Sequence, residues 1–110
     1  MNIDKFLKKH PTCNICKQRL IIRSTIFIEC PDYHILASID QSNPTQIFSI
    51  SVSVNDDVLD DYITYTPKNN KLTYWDSNES IAKYTTNCDE EIFEKLLKKP
   101  KMILKYFLLA

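Results

Sequence analysis

Four residues carry the strongest chemical signal in this chain: Cys13, Cys16, Cys30 and His34, spaced Cys-x2-Cys-x13-Cys-x3-His. Two thiols three positions apart can bite one tetrahedral ion from a single tight turn. The thirteen residues between Cys16 and Cys30 suit a hairpin. About six residues leave the first turn, Arg23-Ser24 reverses the chain, and about six return, at about 3.3 Å per residue. Equal arms bring Cys30 back beside Cys16. Pro31 then fixes a second turn from which His34 can point inward. The set is a Cys3His site for structural Zn²⁺, with three thiolates and one neutral imidazole. His10 and Cys88 are rival candidates for the fourth ligand. Cys88 precedes Asp89 at an expected helix start, where a thiol is either packed or activated by the helix terminus.

Other chemistries meet the same residues and fail. A zinc deaminase needs His-x-Glu and Pro-Cys-x2-Cys; Thr12 separates Pro11 from Cys13 and follows no such pattern. A Cys30–His34 nucleophile pair lacks a third orienting group. A Cys-x2-Cys redox motif accompanies a βαβ pattern that this chain does not show. The acids Asp56, Asp57, Asp60 and Asp61 do not form a calcium-binding loop and read as a solvated turn that blunts a strand edge. Glycine is absent from all 110 residues, which removes every glycine-built phosphate loop. The expectation is a non-enzymatic protein.

The spacing from Cys13 to His34 resembles the zinc-ribbon and zinc-knuckle class of small metal-binding modules, over about a fifth of the chain. It departs from that class in having Cys-x3-His as its second pair and no glycine after Cys16. The overall cast also resembles uncharacterised small proteins of large tailed bacteriophages. In these, a Cys-x2-Cys knuckle precedes a Lys/Asn/Ile-rich sheet and a Leu-rich C-terminal helix. That resemblance implies a phage accessory or virion-associated setting.

The elements that must hold the site can be read along the chain. Ile3, Phe6, Leu7 and His10 keep helical spacing until Pro11 stops it. Leu20-Ile21-Ile22 and Thr25-Ile26-Phe27-Ile28 read as the hairpin, and 33–39 as a third strand. Over 46–54, Phe48, Ile50, Val52 and Val54 alternate with serines, a strand with one buried and one wet face. A further strand covers 58–66. The turn 67–71 uses Asn where glycine would usually stand, and 72–75 returns. Asn87 or Asp89 caps a helix through Ile92, Phe93, Leu96 and Leu97. After Pro100 comes a second short helix with Ile103, Leu104, Phe107 and Leu108. The class is α+β, an antiparallel sheet with helices at both ends. It forms a single domain over 1–110: a zinc hairpin at 13–34, a sheet at 35–75 and a helical C-terminus at 87–110.

Hydrophobic residues make up 44% and charged residues 25% of the chain, enough for a packed core. Fourteen basic groups balance fourteen acids, but they segregate. Residues 1–23 carry net +5, residues 24–67 net −7 with no Lys or Arg, and residues 68–110 net +2. Three partner classes follow. A protein can meet the acidic middle (Asp56, Asp57, Asp60, Asp61) and the aromatics Tyr65 and Trp75, favoured interface anchors; a phage inhibitor of a host protein would act this way. Nucleic acid can meet Lys5, Lys8, Lys9, Lys17, Arg19 and Arg23, against the long anionic stretch. A second copy can meet the apolar C-terminal helix. The N-terminus lacks the apolar core of a signal peptide, and no run is long enough to span a bilayer. The expected setting is cytosolic, in the host if the protein is viral, or the virion. Disulfides are rare in cytosol, so the cysteines want a metal.

Overall fold

In a computed structural model, residues 1–54, 61–76, 81–99 and 102–109 are described, apart from the side chains of 104, 108 and 109. The elements are α1 (Ile3–Lys9), β1 (Ile21–Ile22), β2 (Phe27–Glu29), β3 (Ile35–Ile39), β4 (Ile47–Ser53), β5 (Tyr62–Thr66), β6 (Lys71–Asp76), β7 (Ile81–Asn87), α2 (Glu90–Lys98) and α3 (Ile103–Leu109). The strands form one antiparallel sheet in chain order, β1 to β7. The α+β class expected from the sequence is the one observed.

Alternation builds the two faces of the sheet. Ile35, Val52, Ile63 and Tyr74 align across four strands and are buried. They share one core cluster with Phe6, Phe93, Leu96, Leu97 and Ile103 of the three helices. The intervening row, Leu36–Ser51–Thr64–Thr73–Thr85, runs across the opposite face and is half-buried to exposed. Tyr65 lies flat on Phe93, ring centroids 4.3 Å apart, so the sheet and α2 close on aromatic stacking.

The helices start where short polar side chains satisfy orphan amides. Asn2 Oδ1 accepts from the Lys5 amide and Asp89 Oδ1 from the Ile92 amide, which selects Asp89 over Asn87 as the cap of α2. Glu90 and Glu91 in its first turn and Lys95 and Lys98 in its last complement the helix dipole. Asn70 takes the left-handed conformation expected of it, φ 52°, and Tyr65 donates its hydroxyl to Asn70 Oδ1.

Three expectations need correction. Phe48 was placed on the buried face of its strand, yet it is exposed. The register slips so that Ser38 faces Ser49 and Ile39 faces Ile47, leaving Phe48 as the extra residue of a bulge. The first hairpin turns through residues 24–26, with Arg23 N–H donating to Phe27 O, and not on Arg23-Ser24 alone. The strand β7 was not expected; it is an edge strand with little apolar alternation. The expected segment 58–61 precedes β5 and lies mostly outside the described residues.

Candidate metal centre

Two turns carry the centre. The first runs between Thr12 and Arg19, which pair as an antiparallel bridge, with Cys13 N–H donating to Gln18 O and Lys17 N–H to Cys13 O. This tight reversal puts Lys17 in the left-handed region, φ 62°, where the knuckle class usually has glycine. The second turn follows β2. Tyr33 N–H donates to Cys30 O and Tyr33 is also left-handed, φ 61°. A non-glycine residue there costs about 1–2 kcal/mol. In a chain without glycine, both costs are met by what the turns assemble.

The turns bring one donor atom each of Cys13, Cys16, Cys30 and His34 within 4.8 Å of one another. Cys13, Cys30 and His34 are buried and Cys16 is half-buried. Backbone amides point at the sulfurs: Ile15 N–H to Cys13 Sγ at 3.4 Å, His34 N–H to Cys30 Sγ at 3.1 Å, and a backbone hydrogen bond from Gln18 to Cys16. The Gln18 donor favours the Cys16 thiolate.

Opposing that, burial pushes the Cys16 thiol up to about 12, and the neighbouring Cys13 and Cys30 sulfurs add to the shift. Three clustered thiolates repel one another unless a cation sits among them. Soft sulfur and imidazole donors in a set of four fit zinc. Cys13, Cys16, Cys30 and His34 would hold the ion, which would cross-link the two turns. Four protein ligands leave no open position for water, so the arrangement suits a structural role.

The rival ligands lie elsewhere. His10 caps α1 with its ring against Phe6, centroids 5.1 Å apart, and its Nε2 is buried without a hydrogen-bond partner among the described residues. Cys88 is a buried free thiol whose Sγ reaches Asp89 O at 3.5 Å. Burial raises its pKa, against the lowering a reactive helix-start thiol would show. It reads as packed.

The residues named for partner binding scatter. Asp56, Asp57 and Asp60 lie outside the described residues. Asp61 accepts the Tyr74 hydroxyl at 2.7 Å. Tyr65 is fully buried beneath α2, because its strand position faces the helices, and so offers no surface to a partner. Trp75 is half-buried on the opposite face, its ring parallel to that of Tyr62. Of the six N-terminal cations, Lys9 pairs with Glu94 and Arg23 with Glu29. Sequence reasoning missed the exposed apolar tip of the first hairpin: Ile21, Ile22, Ile26 and Phe27, with Tyr33 nearby. Alternation marks such residues as core, and only the short β1 leaves them outside.

Among the described residues no helix is long and apolar enough to cross a membrane. No family model, curated protein or solved structure matches the chain.

Proposed function

We propose that the chain is a small zinc-stabilised binding protein that acts through protein–protein contact and performs no catalysis. The observation that carries the zinc is the convergence of four soft donors from two turns within 4.8 Å. Its closed donor set favours a staple over a reactive centre. Structural zinc contributes on the order of 10 kcal/mol, comparable to the whole stability of a small domain.

The binding role rests on the apolar tip that the staple holds out. Ile22 is 57% exposed on one face of the hairpin end, and Ile21 and Phe27 are exposed on the other. Large apolar side chains left in water at one end of a small domain mark a contact surface. Arg23, whose amide donates to Phe27 O in the hairpin turn, adds a cation that suits a partner with an acidic rim. The accessory or virion-associated phage setting rests on the overall cast of the sequence.

Elemental analysis tests the first part. About one zinc per chain is expected, lost in Cys30→Ser. Capture of a protein partner that survives in Phe48→Ser but fails in Ile22→Asp tests the second. Capture indifferent to Ile22→Asp defeats the surface assignment. Titration with single- and double-stranded oligonucleotides at about 50 mM salt, where non-specific affinity is visible, decides against the protein reading if only nucleic acid binds.

A further inference from the structure

The sheet face turned away from the helices carries a second feature. A cavity of about 240 Å³ opens between the second cysteine turn and the ends of β4 and β5, lined by Tyr33, His34, Leu36, Ser51, Val52, Ser53 and Tyr62. The backbone ties these parts together: Ser53 N–H donates to His34 O at 2.8 Å, and Ser53 faces Tyr62 across the β4–β5 ladder. The floor is therefore pinned to the turn that carries two of the metal donors.

The lining has a distinct chemistry. Ser51, Ser53, Tyr33 and Tyr62 bring four hydroxyls, each able to donate and to accept. None of the seven lining residues is a carboxylate or an obligate cation; at the rim the Arg23 guanidinium donates to the Tyr33 hydroxyl at 2.8 Å and is itself paired with Glu29. An ion seated here would lose its hydration without an unpaired countercharge, so the pocket favours a neutral ligand. The volume falls below the roughly 300–1,000 Å³ of drug-sized sites, which limits the occupant to about one ring.

An aromatic shelf extends from the rim. Tyr62 faces Trp75 across β5 and β6, ring centroids 6.2 Å apart and planes within 11°. Trp75 Nε1 donates to Thr64 Oγ1 at 2.9 Å, which fixes the indole over the neighbouring strand. Beyond it the hydroxyl row Ser51–Thr64–Thr73–Thr85 crosses the sheet. Parallel ring faces beside ordered hydroxyls match the two sides of a pyranose: a C–H face that lies on an aromatic ring, and equatorial hydroxyls that need partners able to give and take.

We propose that this pocket and shelf form a binding site for a neutral carbohydrate, one hexose ring in the cavity between Tyr33 and Tyr62 and the next over Tyr62 and Trp75. The site goes beyond the protein-contact reading.

The test uses the zinc-loaded full chain, ¹⁵N-labelled and titrated with cellotriose, maltotriose and N,N′-diacetylchitobiose. Trp75 is the single tryptophan, so its indole resonance and emission report on the shelf. Saturable shifts at Ser51, Ser53, Tyr62 and Trp75 with at least one saccharide are expected. Tyr62→Ala and Ser51→Ala should each weaken that binding about tenfold or more, with zinc content unchanged. The idea is overturned if no saccharide moves these resonances by about 20 mM, beyond the millimolar range of weak sites. Equal shifts in Tyr62→Ala, or saturation of the same resonances by uridine or a proline-rich peptide in place of the sugars, overturns it too. Zinc loss in Cys30→Ser is read separately and tests only the metal assignment.

Discussion

The side-chain amide of Asn14 donates to the main-chain carbonyl of Leu97, 83 residues away in sequence. Asn14 sits inside the first cysteine turn, and Leu97 belongs to the last turn of α2, where carbonyls lack intrahelical partners. The first cysteine turn thus supplies a cap to the C-terminal end of α2. Asn14→Ala should cost about 1 kcal/mol by urea unfolding with one zinc still bound. Removing zinc with a chelator should loosen α2 as well as the front hairpin. Amide exchange can check this: if α2 protection is untouched by chelation, the coupling is absent.

Lys17 occupies a backbone region that disfavours a Cβ. Lys17→Gly should relieve that cost, offset by the greater freedom of glycine in the unfolded chain. A net gain of about 0.5–1 kcal/mol is expected in thermal or urea unfolding of the zinc-bound protein. Lys17→Val should lose stability by a similar or larger amount, since a β-branched side chain fits this region worst.

His10 makes stability depend on pH. Burial holds its imidazole below the usual 6.5; Glu94 raises it in part, and Lys98 and Lys9 lower it further. The unfolded chain therefore binds a proton that the folded chain refuses. Stability should rise with pH through the window from the lowered value up to about 6.5, and fall as the solution is acidified through it. Acid also protonates the thiolates, so the informative quantity is the difference between His10→Leu and the parent. That difference should favour the variant increasingly from pH 7.5 to pH 5. A constant difference would mean that His10 does not titrate on unfolding.

The Tyr65–Phe93 stack joins the sheet to α2. Both rings are fully buried. Phe93→Ala should cost about 3–5 kcal/mol, a large share of the roughly 5–15 kcal/mol of a small domain. Tyr65→Phe keeps the stack and loses only the bond to Asn70, for about 1 kcal/mol. Denaturant midpoints on zinc-loaded samples separate the two.

Legibility in the sequence followed the strength of local pattern. The metal donors were readable because ligand chemistry restricts both residue type and spacing. Ile50 and Val52 were readable as core because each stands between two serines in an alternating run. Phe48 was not, since a bulge shifts phase without leaving a residue-type mark. The strand Ile81–Asn87 was hidden because an edge strand has one neighbour and little apolar face to declare. Its outward Lys83 is the extra residue opposite the step from Tyr74 to Trp75, a charge placed on a bulge where an open edge would otherwise invite pairing. The left-handed Lys17 and Tyr33 were invisible for a related reason: no glycine marks either turn.

The order of strands in space equals their order along the chain. Each strand can join the one made just before it, so the growing sheet needs no long loop to close. The two cysteine turns precede most of that sheet during synthesis. A metal held by these turns would therefore join the first strands before the later ones leave the ribosome, acting first as a seed for assembly and only afterwards as a staple.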